Sequence, residues 1–297
     1  MHMGRRTFIR TAAAAGTLSA SAGAAGAMTV PDPPRKAVFK LSCQEGIAPG
    51  GSLAEKLDFL EKHGYVGLEV GGGNLPNRVS ELQNALKNRS IRMSAICAGF
   101  KGVIISEQET VRREAMDSMK EILTAAGALG STGLIIVPAF SNQTKLGHQE
   151  SRAILVDLLK ELGKHAVAVK SRILLEPLNR KEASFLRLVA DAAAICRDVG
   201  SPGICCMGDF WHMTWEETSD MGAIISAGNS LHHMHIASRK NRNMPGEDPG
   251  DNYVEGFRGL KMIGYQDYVS LECGSVGDKT VTIPAAARLL SGQWMEA

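Results

Sequence analysis

Apolar residues recur along this chain at two spacings. Short runs rich in Val, Ile, Leu and Cys stand at Ala37–Cys43, Tyr65–Val70, Ile91–Ala98, Gly133–Val137, Ile173–Pro177, Gly203–Gly208, Leu231–Ala237 and Tyr268–Cys273. Between them lie stretches with helical spacing, among them Ser52–His63, Val79–Lys87, Glu107–Leu129, Ser151–Val169 and Phe185–Val199. Leu53, Leu57 and Leu60 make one buried stripe. Gly64, Gly130 and Gly200 close helices where a left-handed residue is wanted. Strands alternating with helices predict a parallel sheet. Eight such units predict closure into a single-domain α/β fold, a (β/α)8 barrel over residues 37–297. The alternative, an open doubly wound sheet, lacks its phosphate turn: Gly71-Gly72-Gly73 follows a strand without the required third-glycine spacing. The longest irregular stretch is Ser238–Asn252, after the seventh run.

The chain before the first run has a different character. Arg5-Arg6 precedes an Ala-, Gly-, Ser- and Thr-rich segment that ends at Met28. Residues 1–28 read as a twin-arginine export signal and 29–36 as a proline-bearing linker, which predicts a periplasmic or secreted protein. The segment is too weakly apolar for a stable membrane span. Its removal takes away Arg5, Arg6 and Arg10 and no acid, turning the net charge of +2 into −1. A basic nucleic-acid surface is therefore not expected. The six cysteines show no C-x-x-C spacing and read as reduced core residues. Cys205 and Cys206 are adjacent and should face opposite sides of a strand.

The polar residues that end the runs carry the chemistry. In such a barrel, the C-terminal ends of the strands surround the active site. The fifth to eighth runs finish on Glu176, Asp209, His235 and Glu272. An acid at a strand end is often a helix cap or an ion-pair partner, but four such groups on adjacent staves converge. Three carboxylates in a half-enclosed mouth repel one another, and a cation resolves the conflict. Three oxygens and one imidazole suit one divalent metal ion: Mn, Mg, Co or Zn. Glu69, at the end of the second run, is read as reaching the substrate, orienting a ligand or forming a salt bridge. His233 is read as a core histidine, with His232 facing the helices. Trp211 and Trp215 are read as either a wall against a sugar face or simple packing.

Glu176-Pro177-Leu178-Asn179-Arg180-Lys181-Glu182 resembles the E-P-L-N-R-x-E signature of the xylose isomerase-like barrels, especially their ketose 3-epimerases and hydroxypyruvate isomerases. Asp209-Phe210-Trp211-His212-Met213, His233-Met234-His235 and Leu271-Glu272 resemble further segments of that family. The resemblance implies that Glu176, Asp209, His235 and Glu272 bind metal and that Glu176 and Glu272 are the catalytic pair. It implies that His212 and Glu182 bind substrate, together with Arg242, a place for which Arg239 competes. Glu69 is counted with these substrate contacts.

The implied activity is a metal-dependent sugar isomerase or epimerase that transfers a proton beside a carbonyl. A lyase cleaving 3-keto-glycosides by β-elimination is the alternative, since the Ser238–Asn252 loop could reshape the mouth for a larger substrate. An endonuclease would want more histidines and a basic groove; a sugar-binding protein would not need two facing glutamates. The partner is a small carbohydrate, and the chain is compatible with a homo-oligomer.

Overall fold

The computed structural model describes residues 35–297. The twin-arginine signal and nearly all of the linker lie outside the described residues. Eight parallel strands pair in chain order and close between first and last: β1 Lys40–Gln44, β2 Gly67–Gly71, β3 Arg92–Cys97, β4 Leu134–Ile136, β5 Ile173–Leu175, β6 Ile204–Asp209, β7 Leu231–Ile236 and β8 Tyr268–Leu271. The closed barrel replaces the open-sheet alternative.

The helices outside it are α1 Leu53–Lys62, α2 Leu75–Leu86, α3 Glu109–Ala128, α4 His148–Ala168, α5 Val189–Val199, α6 Phe210–Glu216, α7 Asp220–Ala227, α8 Val254–Met262 and α9 Lys279–Glu296. Ser52 and Glu55 form a capping box that starts α1. The helix starts that depart most from expectation are those of α2 and α5. Helix α2 begins earlier than Val79, because Asn74 takes a left-handed turn and Pro76 fits the first turn. Helix α5 begins later than Phe185, since that segment serves the loop after β5. Gly64, Gly130 and Gly200 all have positive φ, as their helix-end positions require.

The outer faces of the strands and the inner faces of the helices form the main apolar core. Inside the barrel, Ala95, Ile135, Leu174, Cys205 and Met207 fill the β3–β6 side. The β1, β2, β7 and β8 side is polar, with Ser42, Glu69, His233 and Ser270 all buried. Cys205 lies in the inner cluster and Cys206 in the outer one, on opposite faces. All six cysteines are free. Among the described residues, no helix is long and apolar enough to cross a membrane.

Candidate metal centre

Alternation along each strand decides which side chains enter the barrel. On β7, His233 and His235 share the inner face, and His235 stands opposite Asp209 in the β6–β7 register. Glu176 and Glu272 each follow the last residue of their strand and keep its ladder, Glu176 N–H donating to Ile136 O at 3.0 Å and Glu272 N–H to Ile236 O at 3.3 Å. One ligand atom each from Glu176, Asp209, His235 and Glu272 lies within 4.8 Å of all the others. Asp209 has two tasks: one carboxylate oxygen accepts from Trp211 N–H at 2.8 Å and caps α6, while Oδ2 faces the cluster. The cap reading and the ligand reading of this acid coexist.

The donor set fits a divalent cation. His235 Nδ1 lies 3.0 Å from Glu272 Oε2 and 3.6 Å from Glu176 Oε1. Yet His235 Nδ1 and Glu176 Oε1 are buried without a hydrogen-bond partner. Two buried polar atoms without hydrogen bonds, within one cluster of carboxylates, are what a cation would satisfy.

Charge in the cluster is distributed unevenly. Burial, and then the charges of Glu272 and Asp209, push the Glu176 carboxyl up to about 7 against some relief from His235. Burial also opposes ionisation of Glu272, but His235 and Arg242 outweigh it and hold its pKa down to about 2. The imidazole of His235 is raised well above its ordinary value: burial works against its charge, and Glu272 and Glu69 overcome that.

Glu69 is fully buried beneath the cluster. It accepts from Gln44 Nε2 at 2.8 Å and lies 2.8 Å from His233 Nε2 and 3.0 Å from His235 Nε2. Of the three readings of Glu69, the geometry favours orienting a ligand over contacting substrate, since two histidines and Gln44 cover it. It orients His235, turning Nδ1 toward the carboxylates. His233 is the expected hydrogen-bonded core histidine, and His232 pairs with Asp267 at 2.7 Å outside the barrel.

His212, on α6, is buried, and its Nδ1 accepts from Asn179 N–H at 3.1 Å. That bond puts the ring proton on Nε2, which lies 3.6 Å from Asp209 Oδ2. Burial lowers its pKa, so the ring is a neutral donor. Asn179 also donates to Glu182 Oε1 at 2.9 Å, bringing Glu182 to the same side.

Arg242 and Arg239 separate cleanly. Arg242 Nη2 donates to Glu272 Oε2 at 2.6 Å and to Asp209 Oδ2 at 3.2 Å, and its guanidinium lies over the Trp211 ring. Arg239 instead pairs with Asp220 and lies over Phe210 and Tyr253. The Ser238–Asn252 loop, through which the lyase alternative would reshape the mouth, is tied down. Asp248 accepts from Ser238 Oγ and from Asn241, and Glu247 from the backbone of Val276 and Gly277. The turn this makes holds Arg242 at φ +57, in the left-handed region. Trp211 lies at the site, whereas Trp215 is exposed beneath Lys181.

Sequence reasoning missed three neighbours. Gln44 ends β1 and bridges Glu69 and Glu272, donating to the latter at 3.0 Å; its position at a strand end was the available signal. Asn179 lies inside the Glu176–Glu182 motif. Cys97, read as a core residue, faces the mouth with Sγ 3.8 Å from Glu272 Oε1, and burial raises its pKa far enough to keep it a thiol.

A closed barrel with this constellation defines a class, and comparison with known proteins agrees. The chain belongs to the xylose isomerase-like TIM barrel family, whose profile matches residues 57–293. It is 28% identical over 229 residues to the 3-dehydro-D-guloside 4-epimerase of Escherichia coli (strain K12), a match covering 74% of this chain and 87% of that one. The D-psicose 3-epimerase of Enterocloster bolteae is 34% identical over 124 residues, 42% of this chain and 40% of the relative. The solved structure of a 3-keto-D-glucoside 4-epimerase from E. coli shares the fold, with a TM-score of 0.77 at 24% identity, covering 87% of this chain and 100% of that one.

Proposed function

We propose that this chain is a divalent-metal-dependent sugar epimerase, that it moves a proton on the carbon beside a carbonyl, and that its sugar is a keto-glycoside. The observation that carries this reading is the convergence of Glu176, Asp209, His235 and Glu272, with Glu176 Oε1 and His235 Nδ1 left unpartnered. A bound divalent cation supplies neutralisation of the carboxylates and polarisation of the substrate carbonyl.

The chain's own residues do the rest. Glu272 takes the proton from the carbon; the C–H electron pair passes into the carbon–carbon bond, and the carbonyl oxygen gains charge. Glu176 returns a proton to the same carbon from the other face, so one proton is lost and one gained. His212 offers Nε2–H to a substrate oxygen. Arg242 and Glu182 bind further hydroxyls. The preference for a keto-glycoside over a free ketose is supported by the relative named for a 3-dehydro-guloside, of which the match covers 87%. The psicose epimerase match covers 40% of that relative.

The test uses methyl 3-keto-β-D-glucopyranoside in D2O with protein of measured metal content. About one divalent ion per chain is expected, with solvent deuterium entering beside the carbonyl as the epimer forms. Glu272→Gln should lower kcat by roughly two to four orders of magnitude. Full turnover by that variant removes Glu272 from the chemistry. Methanol release in place of a deuterated epimer makes the enzyme a lyase.

A further inference from the structure

We propose that the pocket beside Glu176 is an aglycone subsite, and that the sugar handled at the metal centre carries an apolar, ring-sized group. This deepens the keto-glycoside reading and rests on it. The pocket encloses ≈ 160 Å³. Its walls are Phe100 and Val103, from the connection after β3, and Val137, Pro138 and Phe140, from the connection after β4; Glu176 forms its inner end. An apolar cavity of about 150 Å³ accepts a benzene-sized guest. Apart from Glu176, the only polar side chain lining it is Gln143. Hydroxyls placed against the Phe100, Val103, Val137 and Phe140 side chains would lose water and gain no hydrogen bonds from them.

The wall is built rather than left over. Ala98 is held at φ +48 and Gly99 at φ +86, directly before Phe100. A Cβ on Gly99 would lie 2.1 Å from Gly73 N, so the backbone of the β3 connection is pressed against that of the β2 connection. A non-glycine residue in the left-handed region persists only where its surroundings hold it, and such residues gather at ligand sites. On the other side, Phe140 N–H donates to Gln143 Oε1 at 3.0 Å and Gln143 N–H to Phe140 O at 2.9 Å, closing a turn at the lip. Ser141 N–H donates to Glu182 O at 2.8 Å and fastens that turn to the loop carrying Glu182. Phe140 is 42% exposed, a large aromatic ring left without cover at the edge of the cavity.

The subsite is tested by binding, independently of turnover. Phenyl β-D-glucopyranoside and methyl β-D-glucopyranoside, neither of which has a carbonyl to react, are titrated calorimetrically into Mn²⁺-loaded protein. The phenyl glycoside is expected to bind at least about tenfold more tightly. Phe140→Ser, at the exposed lip, and Val137→Thr, of the same shape, should each reduce that preference and leave methyl glycoside binding unchanged. Equal binding of the two probes, binding of neither, or a phenyl preference that survives both substitutions overturns the subsite. Turnover of the 3-keto forms is read separately. A phenyl preference without reaction of either 3-keto-glycoside overturns the proposed activity and leaves the pocket's specificity standing.

Discussion

Glu69 and His235 show how one buried carboxylate can orient a candidate metal ligand without joining the cluster. Glu69 holds Nε2 of His235 and so commits Nδ1 to the cluster. Glu69→Gln should weaken Mn²⁺ binding roughly 10- to 100-fold, measured by competition with a fluorescent chelator; unchanged affinity would reduce Glu69 to packing. Glu176 gives a pH signature in metal-free protein. Its folded-state pKa of about 7 lies above the ordinary 4.5, so the folded state binds this proton more tightly. The resulting stabilisation is complete below pH 4.5 and is lost as pH rises through 7, roughly 3 kcal/mol in all. The urea midpoint of chelator-treated protein should therefore fall between pH 5 and 8. Glu176→Gln should lack that part of the slope, and parallel profiles for the two proteins would contradict the assignment. The four cluster residues were legible because strand position and motif spacing point to the same side chains. The role of Glu69 stayed open among three readings, orienting a ligand being one, because alternation gives the face of a strand and not the depth in the barrel.

Among the elements, strands were read to within a few residues, since buried parallel strands are short apolar runs with little ambiguity in this context. The segment after β6 gave no helical reading: α6 is seven residues long and starts because Asp209 caps it, a local hydrogen bond without periodicity. That short helix carries His212 and Trp211 to the site. The loop after β7 was legible as irregular, but its placing of Arg242 was not. Asp248 binds Ser238 and Asn241 within it, Glu247 ties it to the segment after β8, and the tight turn they stabilise aims Arg242 at Asp209 and Glu272. Asp248→Ala should release the turn and lower kcat/KM about tenfold with metal content unchanged. Wild-type kinetics in that variant would show that Arg242 is placed by its contacts with Trp211 and the carboxylates alone.

At the scale of the molecule, the barrel interior is divided. An apolar filling on the β3–β6 side gives way to a polar lining on the β7, β8, β1 and β2 side, and the candidate cation site lies beside it. The candidate ligands come from the ends of four different strands, so the cation proposed for them would bind the closed barrel far more tightly than the unfolded chain. The fold also needs no disulfide, all six cysteines being free. Both properties suit a route that carries proteins already folded, and we propose that Arg5-Arg6 directs this chain along the twin-arginine pathway. Expressed in a bacterium with that pathway, the chain should appear in the periplasm, cut within or shortly after Ala22–Ala27, with its metal bound. Replacing Arg5 and Arg6 together by Lys should keep the uncut form in the cytoplasm, folded and equally metal-loaded, as read by mass spectrometry and elemental analysis of each fraction. Continued export of that double variant would rule out the twin-arginine route, because lysine keeps the charge that a general secretion signal uses and removes only the pair of guanidinium groups.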